Sequence, residues 1–405
     1  MLTLPYAAFL VIAGVLVILS ILGGRFLSRF GFSSLLVTLG IGMLVGNGGR
    51  YDFDFDYPLL TLRISEMALS VIIFAGGFTS EWKRFRPVLW QGISLATLGV
   101  LLTALCVALF VHFVLGWAFL PALLLGAIIS STDAAAVFSI LENTGLRLKQ
   151  GVSEVLELES GTNDPMAYFL TFSLTTLLLL PDQPVLSLLP GFVLTMLIGL
   201  GSGLLLGRVT WWIITKVTLK RGQNIVVLIG LILVLYGLNV LLGGSAFLAI
   251  YTAGLVLGNA PWQHRQLNIH FFEGLSWLME TGLFLLLGLQ VYLQELTHMY
   301  RYGLYVALLL IVVARPVGTY LSLLFFRSPS RRGKVFFAWV GLRGATPIVF
   351  ALIPVVQRVP QAELIFNISF IVVIVSILVQ GTTVAPVARW LGLEEEASAH
   401  SGKGL

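Results

Sequence analysis

Residues 157–167 read Glu-Leu-Glu-Ser-Gly-Thr-Asn-Asp-Pro-Met-Ala inside an otherwise apolar stretch. At helical spacing Glu159 stacks over Asn163 and Ser160 over Asp164, two i, i+4 pairs on neighbouring stripes. Pro165 has no N–H, which frees the carbonyl of Gly161 four residues earlier. One helix thus offers two carboxylates, a hydroxyl, an amide and a spare carbonyl, the oxygen donors that hard cations take. A helix merely glued to its neighbours needs one polar pair, and paired carboxylates at membrane depth are costly, so the pattern points to ion binding.

Two interruptions elsewhere supply partners. Ser130-Ser131-Thr132-Asp133 and three alanines break the apolar run 119–141. Ser, Thr and Asp compete with the helix backbone and favour caps, so this spacing predicts a helix that stops and restarts, its second half presenting a positive end. The alternative is a continuous helix whose polar side chains bond back to its own carbonyls. Gly341-Leu342-Arg343-Gly344-Ala345-Thr346-Pro347 breaks a later run, where Pro347 frees the carbonyl of Arg343 and two glycines loosen the backbone. Paired interruptions in corresponding positions of two halves point to a transporter's midplane site. There Asp133, Glu159 and Asp164 are expected near Arg343 and Arg315, which compensate the acids and leave one carboxylate free. A carboxylate desolvated in a bundle shifts from ~3.9 toward neutrality and can trade a proton for a cation near physiological pH. Competition of two ions for one carboxylate is antiport.

The elements that must position these residues follow from composition. The chain has 405 residues, 58% hydrophobic, with 24 basic and 19 acidic residues and a mean hydropathy of +0.97. A soluble chain is ~25% charged, so a soluble enzyme, a disordered protein and a nucleic-acid binder are excluded. The lone Cys106 offers no disulfide and no cysteine metal site. Apolar runs predict thirteen membrane spans, at 6–24, 34–48, 62–79, 88–111, 118–141, 151–180, 188–215, 222–242, 244–260, 271–293, 302–326, 333–357 and 362–390. The first lacks the basic flank of a signal peptide and is longer than its apolar core. The fold expected is an all-α polytopic membrane protein. Two inverted six-helix repeats, about 6–180 and 222–390, are linked by 188–215, and broken spans five and twelve cross. Residues 1–391 form this domain and 392–405 a disordered cytoplasmic tail.

Charge orients it. The loops after odd-numbered spans, with the tail, hold 17 of the 24 Lys and Arg residues, whereas the other loops hold Arg50, Arg301 and Arg358. Cytoplasmic loops accumulate basic residues, so the N-terminus is expected outside and the C-terminus inside. Arg63, Arg208, Arg315 and Arg343 remain within spans, as do Glu66, Asp133, Glu154, Glu157, Glu159, Asp164, Glu273 and Glu280. Each costs roughly 2.5–3.5 kcal/mol on insertion scales and is a functional candidate by default.

At Thr132-Asp133, Glu159-Ser160-x-x-Asn163-Asp164 and Gly341-Leu342-Arg343-Gly344-Ala345 the chain resembles the monovalent cation:proton antiporter-1 family, the NhaP and Na+/H+-exchanger type. The stretches 131–139 and 159–167 look most like bacterial NhaP-type potassium/proton antiporters. The resemblance implies exchange of K+ or Na+ for a proton, a homodimer with a mobile core domain in a bacterial cytoplasmic membrane, and no cofactor beyond the transported ions. It implies Asp164 as the cation and proton carboxylate with Ser160, Asp133 and Thr132 beside it, Glu159 and Asn163 as braces, and Arg343 and Arg315 as charge balance. Asn before the key Asp suggests one cation per proton. Where many relatives carry an acid before Gly-Gly in span three, this chain has Phe74-Ala75-Gly76-Gly77, so the role of that acid is either lost or moved, with Glu66 the candidate.

Other features carry less. Gly199, Gly203 and Gly207 form a small-residue stripe suited to close helix packing. His264 and His270 are expected in a cytoplasmic loop, where they either sense pH or are simply solvated. Glu154 and Glu157 either draw cations inward or pair with Arg147 and Lys149. The rival functions are a sodium-coupled organic anion carrier, which would not need Asn163-Asp164, and a passive cation channel, which would show a carbonyl filter.

Overall fold

The computed structural model describes residues 6–28, 33–50, 54–182, 184, 188–217 and 220–395. Among them the chain is helical throughout, apart from turns, loops and an isolated antiparallel bridge between Leu148 and Glu394. The helices are α1 (Tyr6–Ser28), α2 (Ser34–Val45), α3 (Pro58–Thr79), α4 (Trp82–Phe85), α5 (Leu89–Ser94), α6 (Val100–Leu115), α7 (Phe119–Ile128), α8 (Ala134–Asn143) and α9 (Val152–Leu179). There follow α10 (Leu188–Lys216), α11 (Arg221–Leu242), α12 (Ala246–Asn259), α13 (Arg265–Gln290), α14 (Leu293–Leu309), α15 (Arg315–Ser322), α16 (Arg331–Trp339), α17 (Thr346–Val356) and α18 (Ala362–Trp390).

Among the described residues seven helical stretches are long and apolar enough to cross a membrane: Pro58–Thr79, Trp82–Leu115, Leu188–Lys216, Gly222–Leu242, Arg265–Gln290, Leu293–Ser322 and Ala362–Trp390. Shorter apolar helices lie at Gly14–Gly24, Ser34–Val45, Phe119–Ile128, Ala246–Asn259 and Thr346–Val356. Along α10 the residues Leu189, Val193, Leu194, Leu197 and Leu205 are exposed, a face that water would not tolerate and lipid solvates. The opposite stripe behaves as the sequence suggests: Gly199, Gly203 and Gly207 sit against Ser245, Ala249 and Ala253 of the α12 segment.

Two long helices contain matching irregularities. A π turn at Leu95–Gly99 separates α5 from α6, and another at Leu310–Ala314 separates α14 from α15. Each packs against the helix that follows the other, α15 and α6 respectively. Two apolar runs are interrupted, between α7 and α8 and between α16 and α17. By packing, α1–α3 with α10–α13 form one group and α4–α9 with α14–α18 the other.

Some boundaries differ from expectation. Pro58 at the first helical position starts α3 four residues early, as its fixed φ and missing N–H allow. The helix α13 begins at Arg265, so His270 lies on a helix, paired with Glu273 at 3.0 Å, and not in a loop. Gly392–Glu395 lie along 147–149: Lys149 N–H donates to the Leu393 carbonyl at 2.9 Å and Glu395 N–H to the Arg147 carbonyl at 2.8 Å. The rest of the expected tail, 396–405, is outside the described residues.

Candidate ion-binding site

The break between α7 and α8 is made by its own side chains. Asp133 caps α8, its carboxylate accepting the Ala136 N–H at 3.1 Å, which satisfies one of the four orphan donors of that half-helix. The break between α16 and α17 lies against it: Asp133 N–H donates to the Leu342 carbonyl at 2.8 Å. Arg343, fully buried, donates through Nη1 to the carbonyls of Ser130 and Ser131, 2.7 Å each. These acceptors left the helix ladder where α7 ends, so the guanidinium replaces the missing backbone donors. Gly344 is required here, because a Cβ would occupy the space of the Asp133 carboxylate.

The acidic helix α9 runs past this crossing and is stitched to it by one face. Ser160 Oγ accepts the Ala134 N–H at 3.1 Å and donates to the Thr132 carbonyl at 3.0 Å. Asn163 Nδ2 donates to Thr132 Oγ1 at 2.6 Å, and the Ser131 hydroxyl donates to Asp164 Oδ1. Glu159 takes a two-pronged ion pair from Arg315, at 2.5 and 2.9 Å, with both side chains buried. Arg315 follows directly on the π turn at Leu310–Ala314. Among the described residues Arg343 pairs with no carboxylate, and neither Asp133 nor Asp164 has a cationic partner.

Asp133 and Asp164 open on a cavity of about 210 Å³ between the two helix groups. It is lined by Thr132, Ser160 and Thr346 of the crossing, by Glu157, and by Gly76, Tyr251 and Glu280 from the facing α3, α12 and α13. Among the described residues four carboxylates and no Lys or Arg line it. Its polar oxygens can strip and replace part of the water shell of a monovalent cation, and a carboxylate there can take a proton instead. Of the two options for the flanking acids, neither Glu154 nor Glu157 pairs with Arg147 or Lys149. Glu154 accepts the Gly151 N–H of its own helix start at 2.6 Å, and Glu157 accepts from Ser80 at 2.6 Å.

The sequence-derived set Asp164, Ser160, Asp133, Thr132, Glu159, Asn163, Arg343 and Arg315 is therefore gathered in one place. Glu66 is not in it: that acid meets Arg63 at 3.2 Å and the Tyr168 hydroxyl at 3.4 Å, away from the cavity lining. That set left out Ser131, Thr346, Tyr251 and Glu280, which the cavity and its hydrogen bonds add. Ser131 belongs to the polar run at the break, but its aim toward Asp164 depends on a non-helical backbone that helical spacing does not describe. Glu280 is visible in the sequence only as one more acid within a span.

The family model described as sodium/hydrogen exchanger, transmembrane, matches residues 1–390. A K+/H+ antiporter NhaP of Alkalimonas amylolytica is 40% identical over 385 residues, covering 95% of this chain and 67% of that protein. A K+/H+ antiporter NhaP2 of Shewanella oneidensis is 38% identical over 393 residues, covering 96% and 67%. In fold the chain matches the solved sodium proton antiporter MjNhaP1 from Methanocaldococcus jannaschii with a TM-score of 0.82 at 23% identity, over 93% of this chain and 97% of that one. The chain belongs to the transmembrane sodium/hydrogen exchanger family, and its activity is cation/proton antiport, the work of a transporter and not of an enzyme.

Proposed function

We propose that the chain exchanges K+ or Na+ for a proton, one for one, through Asp164. The observation that carries this reading is a buried carboxylate that faces a cavity between two helix groups and, among the described residues, is paired with no guanidinium or ammonium. An unpaired charge there is costly, so the site favours being loaded, either with H+ or with a metal ion. Asp133, Ser160 and the Thr132 backbone supply further oxygens. Glu159 and Asn163 fix α9 against the break, while Arg315 and Arg343 supply positive charge close by. The relatives named as K+/H+ antiporters favour K+ as the cation.

The paired π turns and paired breaks support thirteen spans in two inverted repeats, about 6–180 and 222–390, linked by 188–215. The bias of basic residues supports a C-terminus in the cytoplasm of a bacterium, with the chain in its inner membrane as a homodimer. The end of the cavity marked by Glu157 and Thr79 then faces the cytoplasm, next to Lys83, Arg84, Arg147 and Lys149.

The test is reconstitution into liposomes carrying a pH dye. Adding K+ or Na+ outside acid-loaded vesicles should move protons out, and the half-saturating cation concentration should rise as pH falls, since the ions compete. Asp164→Asn should abolish the exchange while the protein keeps its unfolding temperature. Full exchange by that variant overturns the reading. Cation flux without protons would indicate a channel, and flux only with an organic solute a coupled anion carrier.

A further inference from the structure

We infer that Glu280 of α13 is a further cation ligand of the transport site, used only on the cytoplasmic side of the cycle. The inference rests on the Asp164 reading above and extends it to the opposite wall of the cavity. Glu280 lines the same cavity as Asp133, Asp164 and Glu157, yet it belongs to the other helix group. Its carboxylate has no ion pair and no hydrogen bond among the described residues, while Leu283 and Phe284 on the same helix line the wall beside it. The Tyr251 hydroxyl of α12, also unbonded and buried, lines that wall as well. Nothing in the packing of α13 calls for an acid at this position, and a carboxylate within a membrane needs a counter-charge.

Coordination numbers point the same way. One oxygen of Asp164 is engaged by Ser131, and Ser160 Oγ already accepts from Ala134 and donates to Thr132. The crossing alone therefore leaves few free oxygens, fewer than the six or so a hard cation takes up. Glu280 and Tyr251 supply oxygens from across the cavity. Because they belong to the other group, they reach the ion only while the two groups enclose the cavity on this side. The titratable groups facing Glu280 are Asp133, Asp164, Glu157 and Tyr251, with no Lys or Arg among them.

The experiment measures half-saturating K+ and Na+ separately at each face, in right-side-out and everted vesicles containing the full chain. Glu280→Gln should raise the value about tenfold at the cytoplasmic face, the size typical of losing support at a metal site, and leave the outer-face value within twofold. Glu280→Asp should fall between it and the unsubstituted protein. If Glu280→Gln does not fold, Tyr251→Phe should give the same one-sided rise, smaller. Unchanged values at both faces, or equal rises at both, overturn the inference. Absence of exchange in the unsubstituted protein would instead overturn the Asp164 reading.

Discussion

At the scale of single residues, carboxylates within one turn or so of each other on α9 have opposite surroundings. Glu159 is tied to Arg315 in a buried pair, and removing one partner of such a pair leaves the other charge stranded. Glu159→Gln should therefore lower stability by ~3–5 kcal/mol, read as a fall in unfolding temperature in detergent, and Glu159→Gln with Arg315→Met should recover most of it. Asp164 has no such partner, so Asp164→Asn should cost transport without costing stability. A comparable fall in unfolding temperature for both single variants would refute that division of labour. The placement of Glu159, Ser160, Asn163 and Asp164 on neighbouring stripes was legible from helical spacing alone. Which arginine serves which acid was not. Arg315 lies 156 positions from Glu159, and Arg343 binds carbonyls that become available only because the helix ends just before them.

At the scale of elements, the two breaks hold each other open, and their glycines are part of the fit. Gly344→Ala should push the Asp133 carboxylate aside, because the added Cβ has no other space. The expected outcome is a protein that inserts but whose half-saturating cation concentration rises severalfold; unchanged cation dependence would mean that the crossing tolerates the shift. A second element-level feature lies one turn along α9 from Asp164. The rings of Tyr168, Phe247 and Phe350, from α9, α12 and α17, pack with centroids 5.2, 5.5 and 6.3 Å apart. Beyond them a separate cavity of about 400 Å³ is lined by Pro165, Tyr168, Asn239, Ser245 and Phe247. Phe350→Ala should cost ~3–5 kcal/mol for the lost core ring and open a cation leak not matched by protons. Tight coupling in that variant would assign the barrier elsewhere. The breaks were readable because Ser, Thr, Asp, Gly and Pro advertise them. The π turns were not, since Leu95–Gly99 and Leu310–Ala314 are mostly ordinary apolar sequence, and their geometry is imposed by the helices packed on them.

At the scale of the whole molecule, the charges of the buried crossing decide whether a membrane potential drives the cycle. Glu159 is matched by Arg315, and Asp133 can be counted against the neighbouring Arg343, whose guanidinium holds the break from which Asp133 projects. Within the crossing itself Asp164 is then the formal charge left over, Glu157 lying beside Ser80 at the end of the cavity, and a bound proton or a bound monovalent cation cancels it equally. The loaded crossing is neutral in both half-cycles, whereas the empty one would carry a negative charge through a low dielectric, which opposes slippage. Glu280 lies on the other helix group and stays outside this count. A cycle that carries no net charge gains nothing from voltage. One that moved two protons per cation would gain roughly 2.3 kcal/mol per 100 mV, a roughly fifty-fold change in the gradient it could sustain. Liposomes clamped with an ionophore at zero and at −100 mV should therefore reach the same final pH difference for a given K+ gradient. A final pH difference that shifts with voltage would mean that a second carboxylate is carried across with Asp164, and Asp133 would be the first to substitute.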